Sequence, residues 1–365
     1  MGFAEFLGNE RIVNALRGML RKERAPSALL FTGFRGVGKH TLARMFAQAA
    51  NCERLTDDFC GECPTCLRIG ALADPQPLIE AGLTERGESA DAATVERMPL
   101  ILETHPDVWL IVPDPVRLRT PVARPMIRVS QLRAIQRAAY FKPQSRRRFF
   151  ILDGADTMRS NDADLLLKIL EEPPEYATLI LLAAAPDLLL PTIRSRCLQF
   201  HFAPVPVERI ENFLAERIRA KPTERKLAAQ LSGGSPGAAL SIDLEESSRL
   251  RRSVLRLLEQ AVAGQRYGEI FAATAQLAKR ERESFENILA LFYSLLTDLL
   301  ESSQSPASSV LRNPDLRKEI EALGKKIDWH WVVRAARGLD AIEGRLRRNI
   351  GRQLSLDALL ASLTI

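Results

Sequence analysis

Short apolar runs alternate with helically spaced apolar positions along the first 200 or so residues. Residues 28–32, 108–111, 149–152 and 179–182 are apolar almost throughout, which predicts strands buried on both faces. Between them, Leu132, Ile135, Ala138 and Ala139 recur on one helix face within 131–140. Such alternation predicts an α/β core, an open parallel sheet covered by helices, over 1–203. Pro204 and Pro206 close that pattern, because neither a strand nor a helix interior tolerates the pair. Beyond them the spacing is helical over 207–219 and 223–231, with a Gly- and Pro-containing turn at 232–236. From Leu244 to the end no strand candidate remains, so a helical bundle is expected there. Residues 72–100 are polar and punctuated by Gly and Pro, and are expected to form a mobile surface insertion.

Composition narrows the classes. With 46% hydrophobic and 26% charged residues, the 365-residue chain is neither disordered nor collagen-like. No apolar run of about 18 residues suits a membrane span. The opening Met1-Gly2-Phe3-Ala4-Glu5 lacks a basic-then-apolar secretory signal, so a cytoplasmic location is expected. A net charge of +6 permits nucleic-acid contact without demanding it, since both signs are mixed along the chain.

Four stretches carry chemistry. Gly33-Phe34-Arg35-Gly36-Val37-Gly38-Lys39-His40-Thr41 follows a predicted strand and opens a predicted helix, the setting of a phosphate-binding loop. Gly33, Gly36 and Gly38 let backbone N–H groups close on phosphate, and Lys39 can reach the outer phosphates. His40 stands where a Ser or Thr hydroxyl would hold Mg²⁺, with Thr41 one position on, so the nucleotide site is degenerate. Asp153 ends the strand 149–152, where P-loop ATPases hold Mg²⁺. The next residue, Gly154, offers no base to polarise water, and Asp156 is expected to act as a helix cap or first-turn acid. Hydrolysis by this chain is therefore not expected, and whether ATP or ADP still binds stays open. Cys52, Cys60, Cys63 and Cys66 supply four thiolates within a short insert at about 50–70, enough for a closed tetrahedral zinc site with a structural role. An iron–sulfur cluster and unpaired thiols are the alternatives. The fourth stretch, Thr192-Ile193-Arg194-Ser195-Arg196-Cys197, is by itself only a basic turn.

Together these residues resemble the clamp-loader branch of the AAA+ proteins. The resemblance also takes in His105-Pro106-Asp107, the run Lys168-Ile169-Leu170-Glu171-Glu172-Pro173-Pro174, Ser195-Arg196-Cys197, Gly233-Gly234-Ser235-Pro236-Gly237, Arg348-Asn349 and Leu354-Ser355-Leu356. It implies an AAA+ module, a small helical lid over 204–243 and a collar over 244–365 through which five subunits form a ring. That ring uses ATP to open a sliding clamp and load it on primed DNA. The implied partners are the gamma/tau ATPase subunits, delta, the clamp and the DNA, with no membrane. By the same resemblance Arg196 is an arginine finger, reaching into a neighbouring subunit's ATP site.

Departures from the family's ATPases select among its members. His40, Gly154, Ala183-Ala184-Ala185 and Gly237 stand where the hydrolysing gamma/tau subunits carry Thr, Glu, a sensor Thr and a lid Arg. Motor positions are altered while the finger is kept, and the chain ends without tau's long extension; both point to the non-hydrolysing stator. The alternative is an ATP-hydrolysing gamma/tau-type subunit, which Gly154 argues against. A free-standing zinc-dependent nucleic-acid binder leaves the collar-like region unaccounted for. Plainer expectations cover the rest: Arg146-Arg147-Arg148 as a solvated face, Trp329, His330 and Trp331 as core or interface, and His105-Pro106-Asp107 as a turn fixing strand entry. Leu289, Phe292, Tyr293 and Leu296 are expected in the bundle core.

Overall fold

A computed structural model describes residues 2–87, 91–115, 125–264, 267–279, 282–304, 311–346 and 351–363. It divides into two compact units, one of 1–213 with 234–238 and one of 214–233 with 239–365.

The first unit contains α1 (Glu10–Arg21), β1 (Ala28–Thr32), α2 (Lys39–Asn51), α3 (Pro64–Gly70), α4 (Gln76–Arg86) and α5 (Ala92–Arg97). There follow β2 (Ile101–His105), β3 (Val108–Ile111), α6 (Val129–Ala138), β4 (Arg148–Asp153), α7 (Ser160–Glu171), β5 (Ala177–Ala183), α8 (Pro191–Arg194) and β6 (Leu198–His201). The strands form one sheet in the order β2-β3-β4-β5-β1-β6. All neighbours are parallel except β2 and β3. Side chains alternate between the two faces of a strand. Leu29, Phe31, Phe149, Ile151, Ile180 and Leu182 therefore share a core with α1, α2 and α3. Ala28, Leu30, Phe150, Leu152, Leu179 and Leu181 share the opposite core with α6, α7 and α8. Burial on both faces is why these strands are legible as unbroken apolar runs.

β1 lies between β5 and β6, so the chain order reverses there. Open α/β sheets bind ligands at the carboxyl ends of the strands at such a switch point, and 33–39 occupies that place. Edge strand β2 was not among the predicted strands. Ile101-Leu102-Glu103-Thr104-His105 has a single strand partner, and its register shifts between Glu103 and His105, so it lacks the apolar continuity of the inner strands.

Residues 72–100, expected as an insertion, carry α4 and α5 among their described positions. The Arg86 side chain is 3% exposed and reaches Asp114, 0% exposed, at 2.8 Å, so α4 is tied by a buried ion pair to the segment that follows β3. The stretch expected as a lid is shared between the two units. Val205 N–H donates to Gly234 O at 2.8 Å and Gly237 N–H to Gly36 O at 3.1 Å, which holds 234–238 against the first unit.

α9 (Val207–Arg217) leads from the first unit into the second, and α11 (Pro236–Ser241) leads back into it after α10 (Pro222–Leu231). The helical remainder is α12 (Leu244–Ala263), α13 (Tyr267–Ala278), α14 (Arg282–Gln304), α15 (Arg317–Gly324), α16 (Trp329–Leu346) and α17 (Arg352–Ser362). Leu289, Phe292 and Leu296 are buried in its core, and Tyr293 packs at the margin with its hydroxyl donating to Asp340 at 2.6 Å. Trp331 is core, donating from Nε1 to Leu363 O at 2.7 Å, whereas Trp329 is 53% exposed. Arg348 and Asn349 lie outside the described residues.

Candidate functional site at the two edges of the sheet

The phosphate loop leaves the C-terminal end of β1. Gly36 (φ +72°) and Gly38 (φ +103°) hold left-handed backbone that a side chain would strain. Gly38 caps α2, whose first residue is Lys39. The ammonium of Lys39 is buried and donates to Gly33 O at 2.6 Å and Phe34 O at 2.8 Å. Burial lowers its pKa, against the opposing pull of Asp153 and Asp156. An incoming phosphate must displace those two carbonyls. A Cβ on Gly36 would collide with Ser235 Oγ, so the 235–238 turn rests directly on the loop.

His40 is held below its usual pKa by burial, with Asp153 opposing and Arg44 assisting. It is therefore a neutral imidazole at neutral pH, and its Nε2 is buried without a hydrogen-bond partner. Thr41 is exposed on α2. Asp153 ends β4, half-buried, opposite Leu182 of β5. Gly154 follows at φ +75°, and a Cβ there would meet Pro113 Cγ at 2.9 Å. Asp156 does stand in the first turn after β4, but its carboxylate accepts Ala184 N–H at 3.2 Å and Ala185 N–H at 2.8 Å. It ties the end of β5 to that turn across a long sequence gap, a partner that local capping rules could not indicate.

The four cysteines converge. Cys52 is the C-cap of α2 and Cys63 the N-cap of α3, with Cys60 and Cys66 on either side of Cys63. Their sulfurs all lie within 4.8 Å of one another, Cys60 and Cys66 at 4.0 Å. Four thiolates around one zinc at ~2.3 Å stand roughly 3.8 Å apart, so the donor set fits a single tetrahedral ion. A core of several iron atoms needs wider spacing. Backbone N–H groups already aim at the sulfurs: Cys63 N–H at Cys60 Sγ (3.3 Å), Cys66 N–H at Cys63 Sγ (3.4 Å) and Leu55 N–H at Cys52 Sγ (3.4 Å). Backbone donors at Glu62 and Cys63 lower the Cys60 pKa to about 6, whereas burial raises that of Cys66. Around the insert, Asp57 pairs with Arg21 at 2.7 Å, Asp58 accepts Phe3 N–H at 2.9 Å, and Gln48 donates to Cys66 O at 2.8 Å.

At the opposite, N-terminal edge of the strands lies the Ser195-Arg196-Cys197 turn, between α8 and β6. Ser195 Oγ donates to Thr192 O at 3.1 Å, and the Cys197 thiol is buried in the core, which raises its pKa to about 12. Between these anchors the Arg196 side chain remains 36% exposed. Its Nη1 donates to Thr192 O at 3.0 Å and its Nη2 meets Glu171 Oε1 at 2.8 Å.

The triple arginine is not the solvated face expected of it. Arg147 donates to Thr178 Oγ1 (2.6 Å), Glu175 O (2.8 Å) and Ala177 O (2.9 Å), stapling the entry to β5. Arg148 is buried on Asp107 at 3.0 Å. Of the triplet only Arg146 is exposed. Asp107 also accepts the Gln144 and Ser145 N–H groups, so His105-Pro106-Asp107 fixes the entry to β4.

The model of a family described as DNA polymerase III, delta subunit, matches residues 8–206. DNA polymerase III subunit tau of Escherichia coli is 30% identical over 248 residues, 66% of this chain and 32% of that protein. DNA polymerase III subunit delta' of Bacillus subtilis is 29% identical over 263 residues, 72% of this chain and 67% of that one. The chain spans about a third of the length of the tau and tau/gamma relatives it matches. Among solved structures, a gamma-subunit-related protein from Thermotoga maritima aligns at TM-score 0.40 and 19% identity, covering 96% of this chain and 98% of that one.

Proposed function

We propose, on the premise that the chain belongs to the DNA polymerase III delta-subunit family, that it is a cytoplasmic delta-prime-type stator. On this reading it is a non-hydrolysing clamp-loader subunit of the bacterial replicative holoenzyme. It supplies Arg196 in trans to a neighbouring gamma/tau subunit, with delta also in the ring, during loading of the sliding clamp on primed DNA.

The position of Arg196 relative to the chain's own phosphate loop carries this reading. β6 runs parallel to β1, with Leu29 opposite Leu198 and Thr32 opposite His201. Gly33 follows the C-terminal end of β1, while Arg196 precedes the N-terminal end of β6. At least three strand rises, about 10 Å, separate the two along the sheet. A phosphate that Arg196 serves therefore belongs to another chain.

The C-terminal edge supports the non-hydrolysing half of the proposal. Gly33, Gly36, Gly38, Lys39, Thr41 and Asp153 form a degenerate nucleotide site, in which His40 presents no hydroxyl and Gly154 no carboxylate. Thr41 does not stand in for position 40, since one residue is about 100° of helix rotation. The gamma/tau reading requires both missing groups. Cys52, Cys60, Cys63 and Cys66 hold one zinc ion. With four thiolates it has no open position and supplies rigidity between α2 and α3, not Lewis-acid chemistry.

The test is a reconstituted ring in which only this subunit carries Arg196→Ala. Hydrolysis at the adjoining ATP site should fall by about 10³–10⁵, with fold and zinc content unchanged. Arg196→Lys should rescue poorly, because a point charge does not reproduce the planar fork. Unchanged single-turnover hydrolysis and clamp loading, with the variant present in the ring, overturn the proposal.

A further inference from the structure

We infer that Glu171 is a positioning residue for Arg196, an inference that rests on the finger reading above. Glu171 is the last residue of α7, followed by Glu172 and Pro173-Pro174. A carboxylate there faces the negative end of the helix dipole, an unfavourable place for it. Its partner does not offset that through stability, since the Arg196 and Glu171 side chains are 36% and 52% exposed, and such pairs contribute little. What the pair does is geometric. Thr192 O from α8 takes one N–H from Nη1, and the Glu171 carboxylate from α7 forms an ion pair with Nη2 at 2.8 Å. Two elements thus hold the guanidinium, one by a hydrogen bond and one by an ion pair, and most of its five N–H groups stay available for phosphate oxygens. The pairing is selective as well: Arg194, two residues earlier, meets Asp187 at 2.9 Å instead.

Positioning and simple electrostatics predict opposite signs. A carboxylate beside the finger weakens the positive potential felt by charge developing on the γ-phosphate, so neutralising it should speed hydrolysis if charge were all that mattered. If Glu171 holds the guanidinium in its productive plane, neutralising it should slow hydrolysis, by roughly tenfold, the low end of what removing an orienting partner costs.

The experiment uses the ring reconstituted with its gamma/tau and delta subunits, comparing Glu171→Gln, Glu171→Asp, Arg196→Ala and the Glu171→Gln/Arg196→Ala double variant in single-turnover ATP hydrolysis. Glu171→Gln should slow the adjoining site about tenfold, Glu171→Asp should recover part of the loss, and the double variant should be no slower than Arg196→Ala alone. The melting temperature of Glu171→Gln should stay that of the parent. If Arg196→Ala slows hydrolysis while Glu171→Gln leaves it unchanged or faster, the positioning role is wrong and the finger stands. Additive slowing in the double variant, or a lowered melting temperature that accounts for the loss, also overturns it. If Arg196→Ala itself has no effect, the finger reading fails and the role of Glu171 with it.

Discussion

Asp107→Asn removes one charge from a buried site, and the structure sets both the size and the sign of the expected loss. Asp107 is 0% exposed. Its Oδ1 accepts Gln144 N–H at 3.1 Å and Arg148 Nη2 at 3.0 Å, and its Oδ2 accepts Ser145 N–H at 2.6 Å. An asparagine cannot satisfy this set in either flip. Its amide NH₂ must face the Ser145 donor or the Gln144 and Arg148 donors, and Arg148, with a side chain 10% exposed, loses its counter-charge. Breaking a buried pair from one side costs about 3–5 kcal/mol. At about 2–4 °C per kcal/mol for a unit of this size, the first transition should drop by roughly 6–20 °C. The exposed pair Arg133–Glu96, with side chains 52% and 45% exposed, is the control, and Glu96→Gln should cost about 1 kcal/mol or less. Acid supplies a second measurement. Burial alone raises the Asp107 pKa, but the Ser145 N–H, the Arg148 guanidinium and the Gln144 N–H outweigh it and hold the carboxyl below its ordinary value. A lowered folded-state pKa means the stabilisation is complete above the unfolded value of about 3.9 and is lost as pH falls through the folded one. The gap between parent and variant should be constant above about pH 5 and narrow below about pH 4. Thermal or urea melts across pH test both points. A variant that melts within 2 °C of the parent, or no lower than Glu96→Gln, refutes the reasoning.

Two further outcomes are expected. Metal analysis of purified protein should return about one equivalent of zinc, lost in Cys60→Ser; an iron–sulfur absorbance or a metal-free chain contradicts the assignment. The isolated chain should show negligible ATP turnover with or without clamp and primed DNA, and Gly154→Glu should not restore it. That substitution places a side chain at φ +75° against Pro113 while leaving position 40 without a hydroxyl. Turnover by the unmixed parent chain favours the gamma/tau reading.

Much of the fold is legible in the sequence because the inner strands are buried on both faces, leaving nothing polar to obscure them. β2 escapes because an edge strand need satisfy only one neighbour. The cysteine cluster is legible from spacing alone, since its four sulfurs come from one short insert. The arginines are not. Arg146, Arg147 and Arg148 are identical as letters, yet the first faces solvent, the second is half-buried and the third is buried. Their partners, Ala177 and Thr178 at the start of β5, Glu175 just before it and Asp107 between β2 and β3, are brought to them only by the completed sheet. The same holds for Asp156 on the end of β5 and Glu171 beside Arg196, whose partners lie a strand or more away in sequence.

The two edges of the sheet differ in how their polar groups are committed, and that difference is what the stator reading rests on. At the C-terminal edge the Lys39 ammonium is taken by two carbonyls of its own loop, Asp156 by two backbone N–H groups of 184–185, and Gly154 by close approach to Pro113. His40 is half-buried, with Nε2 enclosed, and uncharged at neutral pH. Lys39, Asp156 and Gly154 are thus committed to holding the fold at that edge. At the N-terminal edge the Arg196 guanidinium makes one hydrogen bond and one ion pair among the described residues, and retains donors on a partly exposed face. Because β1 and β6 carry these features at opposite ends of adjacent strands, packing can take over one edge without disturbing the other. An ATPase acting on its own nucleotide has no use for that asymmetry, whereas a subunit that completes a neighbour's site requires only the edge that stays open.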